Sequence, residues 1–407
     1  MMSGQTTKFP TYLGTFLLFA SLCLPALEIG KTLPSIHWID LGLPIMALCL
    51  IVYWSKWRFT KYHALPFLIS IYVAFCLLIQ AHPTALSDYF EIYKWLKFGV
   101  LLLFLSLIDF EMVKRSIPWL FAILVLINLL HFFNFPGVNE LLENTYHGGL
   151  HLKFFGKNSL GEPAVKRMVG TMGNPNINAL LFTFFSIYFL PLQFERKRFY
   201  LFLLALTMVF LCQSRTALVV VFVLISYLGI FHSKIWTRLQ WLQLIFGIIF
   251  SFLVAWMLCT SFFQYSAYSS SLLDGTALYS GSVRGRLETW QLLGQQIVEQ
   301  PIFGHGPYKN YFYVNHIYSE NEYILMAWRY GVFGLLAYLL LYLWPLKQLQ
   351  LANNKLFIPF ILVLLAMLVS ALTNNPFTER NIEVLFCFNL AWAFHCHQQR
   401  KHEPERA

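Results

Sequence analysis

Charge is the scarcest property of this sequence. Asp, Glu, Lys and Arg together make up 12% of the 407 residues, about half of what soluble domains carry. A water-exposed globular surface is therefore excluded. Alternation of apolar and polar residues is also absent, which argues against a membrane β-barrel. The seven cysteines fall in or beside apolar segments, at no metal-binding or redox spacing, and read as small core residues. Repeats, low-complexity runs and a separable soluble domain are lacking. No metal site or cofactor motif is seen.

What is abundant is apolar and aromatic: 58% hydrophobic residues, 18% Phe, Trp and Tyr. Uncharged runs of about 17–22 residues recur, the length of a helix crossing a hydrocarbon core of about 30 Å. The chain reads as an all-α integral membrane protein with about twelve spans. They lie near residues 9–27, 36–54, 64–81, 92–109, 117–134, 176–194, 199–213, 216–232, 242–261, 323–344, 356–373 and 383–396. The first is read as a retained helix, since no small-residue cleavage site follows it. The chain, residues 1–407, forms a single membrane domain.

The net charge of +10 needs no nucleic acid to explain it. Short connections carrying Lys56, Arg58 and Lys61; Lys114 and Arg115; Arg196, Lys197 and Arg198; Lys234 and Arg238; and Lys347 and Lys355 alternate with less basic ones. The positive-inside rule puts these, both termini included, in the cytoplasm. The opposite face then holds the two long loops, near 135–175 and 261–322, together with the Gln213–Arg215 turn and the 373–382 connection. The second long loop lies between spans nine and ten. It runs from a Ser/Tyr-rich lead-in through Arg284 and Arg286, a helical stretch over 287–298 and a Pro301, Gly304, Gly306, Pro307 turn cluster to His316, Glu320, Asn321 and Glu322.

Four constellations on that face suit chemistry on an anion. Arg167 precedes a Gly170–Gly173–Pro175 helix start capped by asparagines, a setting equally good for an anion and for plain helix capping. Arg215 sits in a very short turn between spans, where it is costly unless paired, wet or snorkelling. Arg284 and Arg286 lead a helix on which Arg286 and Trp290 share a face. His316 and Glu320 have i,i+4 spacing, which in a helix places both on one side at the mouth of span ten. Alone, each also reads as an interface anchor or a solvated loop residue. Tyr308, Tyr311, Tyr313 and Trp290 suit sugar rings or the interfacial aromatic belt.

In order along residues 165–395, these motifs resemble the O-antigen ligase and O-antigen polymerase superfamily of bacterial membrane glycosyltransferases. The matching features are R-x-x-G-T-x-G-N-P-N at Arg167–Asn176, Q-S-R-T-A at Gln213–Ala217, R-L-E-x-W at Arg286–Trp290, P-x-x-G-x-G at Pro301–Gly306, N-x-Y at Asn321–Tyr323 and Y-G-x-x-G at Tyr330–Gly334. The resemblance implies an undecaprenyl-pyrophosphate-linked oligosaccharide donor at the outer face of the inner membrane. It also implies a glycan or lipid A-core acceptor, a chain-length regulator and membrane lipids as partners, and inverting transfer without metal or nucleotide. The functional arginines carry over as Arg215 and Arg286. The family's histidine, usually followed by Asn, is here Glu320 followed by Asn321, which tilts the reading toward a polymerase over a ligase. On the chemistry, Arg167, Arg215, Arg284, Arg286 and Asn321 are expected to meet pyrophosphate or substrate. Glu320 is the expected base, with His316 second. A polysaccharide flippase would instead place charges toward the bilayer centre. Lys97 and Arg329, one or two turns inside their spans, are the nearest to that pattern.

Overall fold

The computed structural model describes residues 8–27, 35–57, 59–133, 135–138, 141, 167–192, 195–233, 236–262, 281–351 and 354–402. The Ser/Tyr-rich lead-in and most of the first long loop lie outside the described residues. Those described are helical apart from turns and one isolated bridge between Leu27 and Ile36.

Each apolar stretch read from the sequence coincides with a helix: α1 Lys8–Cys23, α2 Trp38–Val52, α3 Lys61–Ile79, α4 Leu86–Leu105, α5 Phe110–Phe132, α6 Pro175–Tyr188, α7 Arg196–Leu211, α8 Arg215–His232 and α9 Arg238–Phe262. Between α9 and the last spans come two polar helices, α10 Gly281–Glu299 and the short α11 Lys309–Val314. They are followed by α12 Glu322–Leu351, α13 Ile358–Ser370 and α14 Arg380–His402. Five of these, α3, α5, α8, α9 and α12, are long and apolar enough to cross a membrane. Their outward faces stay greasy: Leu78 is 85% exposed and Ile230 71%, which in water would be a liability and against lipid is not.

Packing divides the bundle. α3 lies along α4, α4 also packs against α2 and α14, and α1 against α5. On the other side α7 packs between α6 and α9, while α8 and α6 pack on α13. α12 reaches both groups through α3 and α13, and carries α10 on its outer part.

The start of α6 shows why the asparagine-rich motif folds as it does. Asn174 caps the helix, accepting from the backbone N–H groups of Asn176 and Ile177, and Pro175 occupies the first turn where no N–H is needed. Gly170 sits in the left-handed region (φ 47°) against the Asn128 side chain, which a Cβ would strike at 2.0 Å. Asn178 then donates to Asn128 Oδ1 at 2.7 Å.

α12 is broken at Gly331, whose φ of 63° and ψ of −163° no helix tolerates. The carbonyls of Trp328 and Arg329 accept from the amides of His305 (2.9 Å) and Gly306 (2.8 Å), and Val332 N donates to Pro301 O (2.9 Å). The Pro/Gly turn cluster thus replaces the missing helix bonds.

Candidate functional site

A cavity of about 1110 Å³ opens among the ends of α2, α4, α11 and α12 and the connection before α14. All of these segments belong to the set of connections that basic-loop alternation assigns to one side. The wall carries five cationic side chains, Lys94, Lys97, Lys309, Arg329 and Arg380, and four carboxylates, Asp40, Glu91, Glu320 and Glu379.

α4 supplies a row at three-residue spacing, Glu91, Lys94 and Lys97, which a helix places on neighbouring turns of one face. Asp40 of α2 faces Lys97 Nζ at 3.2 Å and Arg380 at 3.7 Å. It also accepts from the Tyr93 hydroxyl at 2.9 Å and from His37 N at 2.8 Å. Glu91, buried, faces Lys309 Nζ at 2.7 Å and Arg329 at 3.6 Å, and accepts from the Tyr330 hydroxyl at 3.3 Å. Two further contacts fix α11 near this wall: Lys309 N donates to Asp88 Oδ1 at 2.9 Å, and the Tyr308 ring stacks on His82 at 4.2 Å. Burial pushes the Lys309 ammonium below its ordinary range, and Glu91 opposes that shift.

The late loop behaves partly as its sequence implies. α10 covers the amphipathic stretch, and Arg286 and Trp290, one turn apart, reach the same strand of chain. Arg286 forms an ion pair with Glu320, and the Trp290 indole donates to Ser319 O at 2.5 Å. The structure thus joins an expected phosphate-binding residue to the expected base, a pairing that spacing alone did not show.

One expectation is corrected. His316 and Glu320 do not share a helix face, because the chain from Asn315 to Asn321 is not helical. Both residues lie in the left-handed region, with φ of 52° and 41°. The turn after α11 reverses the chain, with Ile317 N donating to Phe312 O at 2.9 Å, so i,i+4 proximity never forms. Glu320 lines the cavity, whereas His316 is exposed and does not.

The other expected residues sit around the cavity without lining it. Arg167 is buried, donating to Cys212 O at 3.2 Å and to Asn176 Oδ1 at 2.9 Å. The same Asn176 oxygen accepts from Ser214 Oγ at 2.8 Å, so Arg167 ties the start of α6 to the turn carrying Arg215. That is capping architecture. Arg215 opens α8 at partial exposure. Arg284 is exposed and pairs with Glu288 at 2.9 Å along its own helix, a contact of small energetic value. Asn321 caps α12, accepting from Ile324 N at 3.1 Å and donating to Leu372 O at 3.0 Å. Among the aromatics, Tyr311 stacks on Trp328 at 5.4 Å, while Tyr313 is left exposed on the cavity wall.

Lys94, Glu91, Asp40, Lys309, Glu379 and Arg380 were not singled out from the sequence. The signal that pointed toward them was the pair Lys97 and Arg329, charged residues set inside apolar spans; both line the cavity.

Fold and site together define a multi-pass helical membrane protein with a charged cavity at one end of the bundle. Residues 200–339 match the family model described as O-antigen ligase, which supports the O-antigen ligase/polymerase superfamily for this chain. No curated protein matches it. The matched segment includes Arg215, Arg284, Arg286, His316, Glu320, Asn321, Lys309 and Arg329, and leaves out the α2, α4 and α14 walls of the cavity.

Proposed function

We propose that this protein transfers an undecaprenyl-pyrophosphate-linked glycan to an acceptor hydroxyl during surface-polysaccharide assembly, at the periplasmic face of the bacterial inner membrane. The observation that carries the reading is the cavity. It combines cations, carboxylates and aromatic side chains at one end of a membrane bundle, beside a segment matching O-antigen ligases. Displacing a lipid pyrophosphate needs planar or ammonium donors for the developing negative charge. An inverting attack on the anomeric carbon needs a group to take the acceptor's proton.

Arg286 is the proposed pyrophosphate contact of the late loop. Arg286 is held by Glu320, so an arriving pyrophosphate competes for the guanidinium. Glu320 is free to accept a proton only once that pair opens. Arg215, Arg167, Arg284 and Asn321 frame this region: Arg167 and Asn321 by fixing helix starts, Arg284 from the exposed face of α10. Tyr313 and Tyr318, both exposed on the cavity wall, offer faces for sugar rings.

Repeat-unit polymerization is the leading form of the reaction, because a carboxylate stands where ligases carry histidine. Ligation to lipid A-core is the second form, favoured by the description of the matched family. Purified protein in liposomes, given an undecaprenyl-pyrophosphate-linked repeat unit, is expected to build a ladder of products on a gel. A single addition to lipid A-core without a ladder would establish the ligase form. Absence of transfer to either acceptor would refute the glycan-transfer reading.

A further inference from the structure

The charges on the cavity wall are almost completely paired. Asp40 has Lys97 and Arg380, Glu91 has Lys309 and Arg329, and Glu320 has Arg286. Two groups stand outside this arrangement. Glu379 has no basic partner within 4.0 Å among the described residues, and Lys94 has no acidic one. The Lys94 ammonium instead lies over the ring of Phe377, 4.9 Å from its centroid, and 5.9 Å from that of Trp95.

The backbone that presents Glu379 is firmly held. Phe377 N donates to the buried Glu322 carboxylate at 2.9 Å. Thr378 bonds back to Asn375 O through both N (3.0 Å) and Oγ1 (2.7 Å). Glu383 N donates to Glu379 O at 2.9 Å, opening the first turn of α14. Glu379 therefore does not lack a partner for want of order. Its side chain is exposed to the cavity on a fixed backbone. A membrane protein that leaves one ammonium and one carboxylate of a cavity wall outside its ion pairs, while the other charges lining that wall are paired, keeps both available to a ligand.

We infer that Glu379 receives the proton of the attacking hydroxyl and that Lys94 neutralises the departing pyrophosphate. This rests on the glycan-transfer reading. The acceptor oxygen bonds to the anomeric carbon as the bond from that carbon to the phosphate oxygen breaks, the pair of electrons leaving with the pyrophosphate. The hydroxyl proton passes to the Glu379 carboxylate and from there to water in the open cavity. Glu320, engaged by Arg286, then serves to hold that arginine ready for the lipid pyrophosphate.

The reaction's pH dependence follows. Although its side chain opens to the cavity, the protein packed around Glu379 disfavours the charged form and raises its carboxyl above the ordinary range, with Lys94 and Arg380 pulling it back. Glu322 at the start of α12 and Glu383 one turn along α14 are buried carboxyl groups nearby, and Lys94 acts on both. The remaining cavity charges, Asp40 from α2, Glu91 and Lys97 from α4, Lys309 from α11, and Glu320 and Arg329 flanking the start of α12, are the paired ones described above. Proton acceptance needs ionised Glu379, so turnover falls as pH drops through its raised value. Removing Lys94 takes away a cation that favours the ionised form and moves that acid limb to higher pH.

The test uses the full chain in proteoliposomes with a lipid-linked repeat unit, following kcat and KM across pH. Glu379→Gln is expected to lower kcat by about 10²-fold or more with donor KM within a few-fold, and to abolish the acid limb. Glu379→Asp should keep the limb at reduced kcat, which covers the case in which the amide variant does not insert. Lys94→Gln should shift the limb upward in pH, and Lys94→Arg should restore its position. Wild-type kcat and an intact acid limb in Glu379→Gln would overturn the inference while leaving glycan transfer standing. Loss of the limb in Glu320→Gln instead would give the proton to Glu320 and overturn it as well. Failure of the wild-type protein to transfer glycan at any pH would overturn the underlying reading, and the inference with it.

Discussion

Replacing Gly331 by alanine tests whether the break in α12 organises the cavity. The residue's backbone angles belong to a region essentially reserved for glycine, where any other residue costs about 1–3 kcal/mol. An added Cβ would also meet Ile302 O at 2.1 Å and Phe303 N at 2.7 Å, both backbone atoms that no rotamer change can clear. The Pro301–Gly306 segment must therefore move. Its three bonds to α12, donated by His305 N, Gly306 N and Val332 N, contribute about 0.5–1.5 kcal/mol each. Together the effects amount to about 3 kcal/mol or more, most of it local to the junction of α10, α11 and α12. Arg329, whose carbonyl takes one of those bonds, would lose its position beside Glu91. The expected result is a Tm several degrees lower in detergent, earlier proteolytic cleavage between α10 and α12, and loss of most glycan transfer. A Gly331→Ala protein with unchanged Tm, cleavage and turnover would refute the reasoning, since it would mean that α12 reaches the cavity equally well unbroken.

Arg286→Ala is expected to abolish transfer with the protein still inserted, and Arg286→Lys to recover little of it, because lysine cannot give the two parallel donors of a guanidinium; a lysine variant retaining most activity would reduce the site to a diffuse positive field. Asp40→Asn strands Lys97, only 3% exposed, and Arg380, and should destabilise by about 3 kcal/mol or more. Adding Lys97→Met to Asp40→Asn should recover part of that loss in Tm. For topology, in a Cys396→Ser background, Asn315→Cys is expected to react with an impermeant maleimide from the periplasm and Ser233→Cys to be shielded; the reverse labelling would invert the proposed orientation.

Much of the helix plan was legible in the sequence because apolar run length and lipid thickness are matched by physics, not by context. The start of α6 was legible for the same local reason: Asn174, Pro175 and the flanking glycines carry their own instructions. The site was legible only where it is local in the chain. Arg286 and Trp290 could be placed on one helix face, and they are. Glu320 could be suspected as a base, but its contact with Arg286 is made across 34 residues. The i,i+4 relation of His316 and Glu320 failed because a four-residue spacing means proximity only inside a helix, and the turn after α11 is not one. The α2, α4 and α14 walls were missed for a different reason. Arg380 donates to Ser35 O from 345 residues away, and no pattern within a window connects them. Within α4, the Glu91, Lys94, Lys97 spacing was present but looked like charge near a span end.

The break at Gly331 also changes what a mutation between α10 and α12 means. In most proteins a residue added to a surface turn lengthens a loop and does little else. Here the amides of His305 and Gly306 complete a helix that cannot complete itself, so the turn and the helix are one structural unit. Adding a residue between Pro301 and Gly306 would shift the register of those amides against the carbonyls of Trp328 and Arg329. It would also move Lys309, whose backbone and side chain are both anchored on α4. Natural variation in the length of this protein should accordingly avoid that turn, and a tag or reporter inserted there would disturb the cavity as directly as a substitution in its wall.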